Sequence, residues 1–242
     1  GIAHQLEHMM FKGTKRRPVQ FGRLFSALGS DSNAFTSHDQ TVYYGTAERN
    51  RLKALLTLEA DRMQSAVINN KHLNSEKRVV ISELKGYENS PEYRLNRAVM
   101  RSAFPNHPYG LPVGGTEEDV EKFTLEQVKQ YYDNFYSPNN AVLVIVGDFE
   151  TSKTITAVKE IFGEIPVNPN TQSLNKIAVK NYFNASSNVS KNSEPIVLKQ
   201  PGSAGLFQAV YRLPSAKNPD IPALDVMDYI LAEGRNSRLY QA

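Results

Sequence analysis

The stretch "GIAHQLEHMMFKGT" (residues 1–14) opens the chain, and its internal spacing decides how the remainder is read. His4 and His8 stand four apart, so on a helix both imidazoles leave one face, one turn apart. Two neutral imidazole nitrogens placed in this way can converge on one metal ion. Glu7 lies one turn from His4, where it can hold a water as general base without ligating. Helix formers run as far as Lys12, and Gly13 then offers a stop.

His-x-x-Glu-His reverses the commoner zinc-peptidase order and defines the inverzincin pattern. By chance it arises on the order of once per hundred chains of this composition. Two histidines supply two ligands only, whereas a catalytic zinc takes a third protein ligand and keeps one position open for water. "NSEKRVVISELKGYENSP" (residues 74–91) offers Glu76 and Glu83, two helical turns apart and so on one face. One of these carboxylates could complete a His-His-Glu set while the other orients a ligand or assists the base. The alternative at this point is a solvated pair, neutralised by Lys77, Arg78 or Lys85.

The chain has 242 residues, enough for one large domain or one domain and part of another. Its composition, 40% hydrophobic and 22% charged, suits a globular protein with a substantial core. The net charge of +3 is carried by scattered Lys and Arg. The densest cluster, "KGTKRRP" (residues 12–18), forms no stripe with interleaved aromatics, which argues against nucleic-acid binding. There are no cysteines, so disulfides, thiolate zinc sites and cysteine nucleophiles are excluded. The longest apolar run, "AVLVIVG" (residues 141–147), is too short to span a membrane and is expected to be a buried strand.

Helical spacing marks "QFGRLFSALGS", and a long amphipathic helix is expected through Leu52, Leu55, Leu56, Leu58, Ala60 and Met63. Between them, Ala34-Phe35-Thr36 and Thr41 to Tyr44 are strand formers. A further helix is expected from Asn74 as N-cap. "FPNHPYGLPVGGT" is a loop, followed by two helices opened by Thr116 and Thr124 and another over "TSKTITAVKEIFGEIP". Composition then shifts to Asn, Ser, Lys and Pro, giving a linker or irregular insertion over 171–195. Beyond it, "GLFQAVYRLPS" is strand-like and "IPALDVMDYILAEG" helical. Strands and helices mix without regular βαβ alternation, so the expected class is α+β, an antiparallel sheet flanked by helices.

The opening stretch resembles the active-site helix of the pitrilysin-type zinc peptidases, the family of insulin-degrading enzyme and mitochondrial processing peptidase. "NAFTSHDQTVYYGT", "EADRM", "SEKRVVISELKGYENSP", "HPYGLPVGGTEED" and "YSPNNAVLVIVGDF" are similar to further family blocks, in family order, across residues 1–166. The match is closest to the bacterial processing-peptidase branch. "YRLPSAKNPDIPALDVMDYILAEGRNSRLYQA" resembles the start of the family's second repeat. The resemblance implies a LuxS/pitrilysin-like metallopeptidase domain over 1–170 and the start of a second, non-zinc homologous domain over 196–242.

Residue by residue, the resemblance makes His4, His8 and Glu83 the ligands of one zinc ion, Glu7 the general base and Glu76 a carboxylate supporting catalysis beside the ligands. Asn33, Ala34, Phe35 and Thr36 become the edge strand that receives the substrate backbone, and Asp61 a partner for a ligand histidine. The implied activity is zinc-dependent endopeptidase cleavage of unfolded peptides or presequences. An Arg and a Tyr from the second homologous domain or subunit would stabilise the reaction, in a single chain, a homodimer or a heterodimer. On this resemblance the chain is truncated at both ends, lacking the strand before Gly1 and the Arg and Tyr after Ala242. A soluble bacterial protein of cytoplasm or periplasm, without a membrane span, is expected. The competing readings are a non-catalytic partner or structural subunit of the same fold, an inactive fragment, and a zinc-binding module without hydrolysis.

Overall fold

The computed structural model describes residues 1–171, 195–200, 204–211 and 213–242. Most of the expected linker, 172–194, lies outside the described residues. The chain divides into two compact units, Gly1–Leu206 and Phe207–Ala242.

In the first unit, helix α1 (Ile2–Met9) occupies the interior. It buries Leu6 and Met9, with Met10 just beyond its end, against Ala66, Ile68, Leu73 and Val128. Its N-terminal turn has no side-chain cap. Burial rather than local propensity therefore holds so short a helix. The chain leaves α1 through Gly13, whose φ of +108° suits glycine, and a Cβ there would stand 2.7 Å from the Val19 carbonyl oxygen. Helix α2 (Phe21–Ala27) then packs Phe21 and Phe25 on Leu55 and Leu58 of α3 (Leu52–Ser65).

Between α2 and α3 stand β1 (Asp31–Thr36) and β2 (Thr41–Thr46), an antiparallel pair in which Asn33 faces Tyr44 and Phe35 faces Val42. Among the described residues these two strands form the whole sheet. One edge of β1 is consequently open there. The α+β class, helices around an antiparallel sheet, is the one observed.

Helix α4 (Asn70–Glu88) begins earlier than the sequence suggests, because Asn69 rather than Asn74 is the N-cap. The Asn69 side chain accepts from the His72 amide, while Val80 and Leu84 pack on Val120. A helix that sequence spacing did not reveal, α5 (Pro91–Ala103), follows with Ser90 as N-cap and Pro91 in the first turn. Helices α6 (Glu117–Lys122) and α7 (Leu125–Phe135) open on capping boxes at Thr116 and Thr124, as their sequences require. Helix α8 (Thr151–Phe162) follows them.

The expectation of a buried strand at 141–147 is overturned. No strand forms there, and Val142 and Val146 are each 90% exposed. Its β-formers meet no partner strand among the described residues, and a strand without a ladder is not stable alone. "GLFQAVYRLPS" likewise forms no strand among its described residues, with Phe207 and Tyr211 exposed. The second unit contains α9 (Ile221–Ala232), opened by Pro222, and the short α10 (Arg238–Gln241) after a turn at Gly234.

Candidate metal centre

Helices α1 and α4 bring the two parts of the opening motif together. Glu83 Oε2 lies 3.1 Å from His8 Nε2 and 3.6 Å from His4 Nε2. All three donor atoms fall within 4.8 Å of one another, and this is the group of metal-binding side chains found among the described residues. Zinc–ligand bonds of about 2.0–2.1 Å at tetrahedral angles require donor separations of about 3.3 Å. The two distances to Glu83 bracket that value. Two imidazole nitrogens and one carboxylate oxygen are also the donor types that suit zinc. The residues present fit the ion.

Burial and the neighbouring His8 lower the pKa of His4, which favours the neutral imidazole that a metal needs. Burial also opposes charge on His8, but Glu76, Glu83 and Glu7 outweigh it and raise its pKa. Glu76 is buried, 3.8 Å from His8 Nδ1, and its other oxygen meets Lys12 Nζ at 2.5 Å. Burial alone would raise the Glu76 pKa, yet His8 and Lys12 together lower it, so it is a carboxylate facing the back of the His8 ring. Behind His4 runs the backbone of Gly114, where a Cβ would sit 3.4 Å from Nδ1 and 2.7 Å from Leu84 Cδ2. A side chain at this point would have to displace the end of Leu84 and would press on the His4 ring.

Glu7 lies on the same helix, with 8% exposure, and burial raises its pKa. Its carboxylate accepts a hydrogen bond from the Thr36 hydroxyl, which also lies 3.1 Å from Thr41 Oγ1. The last residue of β1 is thereby tied to the proposed base. Along β1, Asn33 and Phe35 point outward while Ala34 and Thr36 are half-buried, the alternation of a strand with one packed face. Beside His4 and Thr36 is a cavity of about 260 Å³, walled by Leu84, Tyr93, Met100, Tyr109 and Leu111 among others.

Asp61 departs from the role expected of it. Its carboxylate accepts from Thr14 Oγ1 at 2.7 Å, Arg17 Nη1 at 2.6 Å and Ser65 Oγ at 2.5 Å, and these bonds account for its partners without a histidine. It fastens the turn after α1 onto α3. Burial would raise its pKa, but the hydrogen bonds from Ser65, Thr14 and Arg17 lower it. A depressed carboxylate contributes stability above the unfolded-state value, near pH 4, which disappears as pH falls through the folded-state value. Asp61→Asn should cost about 2–3 kcal/mol at pH 7, with less acid sensitivity below pH 4. Urea denaturation at several pH values measures both. An undiminished midpoint at pH 7 would contradict the structural role.

Sequence spacing also left Tyr87 and Lys12 without roles. Tyr87 donates its phenol hydrogen to Glu83, one turn back along α4, and the acid-then-Tyr spacing was the available signal. Lys12 Nζ reaches Glu76 from beyond the end of α1.

With this geometry in view, the comparisons are consistent. Residues 1–117 match the model of insulinase (peptidase family M16), and residues 122–242 match that of the peptidase M16 inactive domain. The "Zinc protease PqqE" of Helicobacter pylori is 29% identical over 99% of this chain and 53% of its own length. The "Uncharacterized zinc protease YmxG" of Bacillus subtilis is 33% identical over 67% of this chain and 40% of its own. A crystal structure of a protease from Helicobacter pylori superimposes with a TM-score of 0.75 at 28% identity, over 99% of this chain and 57% of that one. This chain spans about half the length, or less, of the curated relatives it matches. No helix among the described residues is long and apolar enough to cross a membrane. Two adjoining matches to one family, relatives named as zinc proteases and a shared fold place the chain in peptidase family M16.

Proposed function

We propose that the protein containing this chain is a zinc endopeptidase of unfolded peptides, with one zinc ion held by His4, His8 and Glu83. The observation that carries this reading is the convergence of three donor atoms from α1 and α4, with the Glu7 carboxylate on the same helix turn. When bound, zinc supplies a Lewis acid that polarises a carbonyl and brings the pKa of water toward neutrality. Glu7 takes a proton from the attacking water and passes it to the leaving amine. The Thr36 hydroxyl fixes the direction in which the Glu7 carboxylate points. Glu76 faces the His8 ring, holds it in orientation and, with Lys12, keeps its own charge balanced.

An extended substrate adds to the open edge of β1 through backbone hydrogen bonds, along Asn33, Ala34, Phe35 and Thr36. The adjoining cavity, with its aromatic and aliphatic walls, accepts an uncharged side chain close to the scissile bond. A second, non-zinc homologous domain, beginning near residue 196, or a partner subunit completes the enzyme by supplying an Arg and a Tyr. Backbone recognition of this kind excludes folded proteins, because the substrate must first be extended.

The test is hydrolysis by the full-length zinc-loaded protein of one substrate protein in folded and permanently unfolded forms. A stably folded domain exposes its open form in less than about one molecule in 10³, so cleavage of the folded form should be slower by about 10³-fold or more. Equal rates would remove the strand-addition reading. No cleavage of either form would favour a non-catalytic subunit.

A further inference from the structure

Glu83 and Tyr87 stand four residues apart on α4 and share one face of the helix. The two oxygens of Glu83 have separate surroundings. Oε2 is directed at the histidines, while Oε1 accepts the hydrogen bond of the Tyr87 phenol. The ring of Tyr87 is held in turn, stacked on Tyr93 of α5 with centroids 5.4 Å apart and planes 28° from parallel.

A carboxylate with two free oxygens can engage a metal through one or both. Two-oxygen binding would fill the position that a catalytic site keeps open for water. A donor already seated on Oε1 opposes that rotation. We propose that Tyr87 is a positioning residue that holds Glu83 as a one-oxygen ligand and so preserves the open coordination position. The inference rests on the reading of His4, His8 and Glu83 as a zinc site. Tyr87 also lines the cavity beside His4, so its ring joins the substrate-side wall to the ligand carboxylate.

Tyr87→Phe removes the hydroxyl and leaves the ring against Tyr93. On the full-length protein, zinc affinity is measured by chelator competition and coordination by the visible absorption of the cobalt(II)-loaded protein. The expected result is an affinity loss of about 10-fold or more, with cobalt bands weakened as four-coordinate geometry gives way to higher coordination. The melting temperature of the metal-free protein should stay at the wild-type value. Tyr93→Phe, which alters the other ring of the stack without touching Glu83, should leave both metal readouts unchanged.

A Tyr87→Phe protein with wild-type affinity and a wild-type cobalt spectrum overturns the proposal. So does a weaker affinity with an unchanged spectrum, which would mean that Tyr87 merely supports the helix. Failure of the wild-type protein to bind zinc would instead remove the metal centre, and wild-type affinity in Glu83→Gln would remove Glu83 from it, in either case taking the role of Tyr87 with it.

Discussion

Glu7→Gln is expected to lower peptide hydrolysis by about 10³-fold or more while zinc affinity stays within about twofold of wild type. The substitution isolates one property. Gln keeps the length and volume of Glu and still offers an amide oxygen to the Thr36 hydroxyl, so the link between α1 and β1 survives. What disappears is the ability to accept a proton from water at neutral pH. General-base catalysis is worth roughly 10²–10⁴ in rate, and the burial of Glu7 beside the histidines puts it at the upper part of that range. Zinc should be retained, because the proposed donor set is His4, His8 and Glu83, without Glu7. The measurements are turnover of an unfolded peptide by the full-length protein and zinc content after dialysis. Wild-type turnover in the variant would sink the mechanism. Loss of zinc together with turnover would move Glu7 from base to ligand or support. A zinc-binding module without hydrolysis would show no turnover in either protein.

The features legible in the sequence were those whose physics is local. Thr116 and Thr124 cap the helices they precede because a hydroxyl three residues before an acid or amide side chain needs no tertiary partner. His4 and His8 share a face through helix geometry alone. The strand expected at 141–147 shows the opposite case: Val142, Val144 and Val146 have the right propensity, but strand stability lies in pairing, which propensity does not specify. Helix α5 was missed although Ser90, Pro91 and Glu92 are ordinary start signals, because its few apolar residues are outnumbered by polar and charged ones and none of its residues is buried. Asn69 displaced Asn74 as cap for a tertiary reason. Ile68 and Leu73 both enter the core around α1, which fixes where α4 must begin. Asp61 looked like a partner for a histidine only while its distance from Thr14 and Arg17 was unknown. Those two residues are 47 and 44 positions away in sequence and in hydrogen-bonding contact in the fold.

Glu83→Gln and Glu76→Gln are expected to separate the third ligand from its supporting carboxylate. Both residues are on α4 and both approach His8, and helical spacing alone does not rank them, although the family resemblance does. Geometry does. Glu83 places one oxygen against both histidine Nε2 atoms, whereas Glu76 approaches only His8, from the Nδ1 side, and is neutralised by Lys12. Removing a partner outside the ligand set costs about 10–100-fold in metal affinity, which is the loss expected of Glu76→Gln. Removing the charged ligand should cost more, about 10³-fold, because an amide oxygen carries no net charge to offset the ion. Each tenfold loss removes about 1.4 kcal/mol of zinc-dependent stabilisation at a fixed excess of zinc, so the two variants should also melt apart when loaded. Without zinc the order should reverse. Glu76 is buried against Lys12 and His8, so its loss strands Lys12, whereas Glu83 is more exposed and faces two histidines that need no charge partner when neutral. Wild-type affinity in Glu83→Gln with a large loss in Glu76→Gln would transfer the ligand role to Glu76 and place the zinc on the other side of the His8 ring.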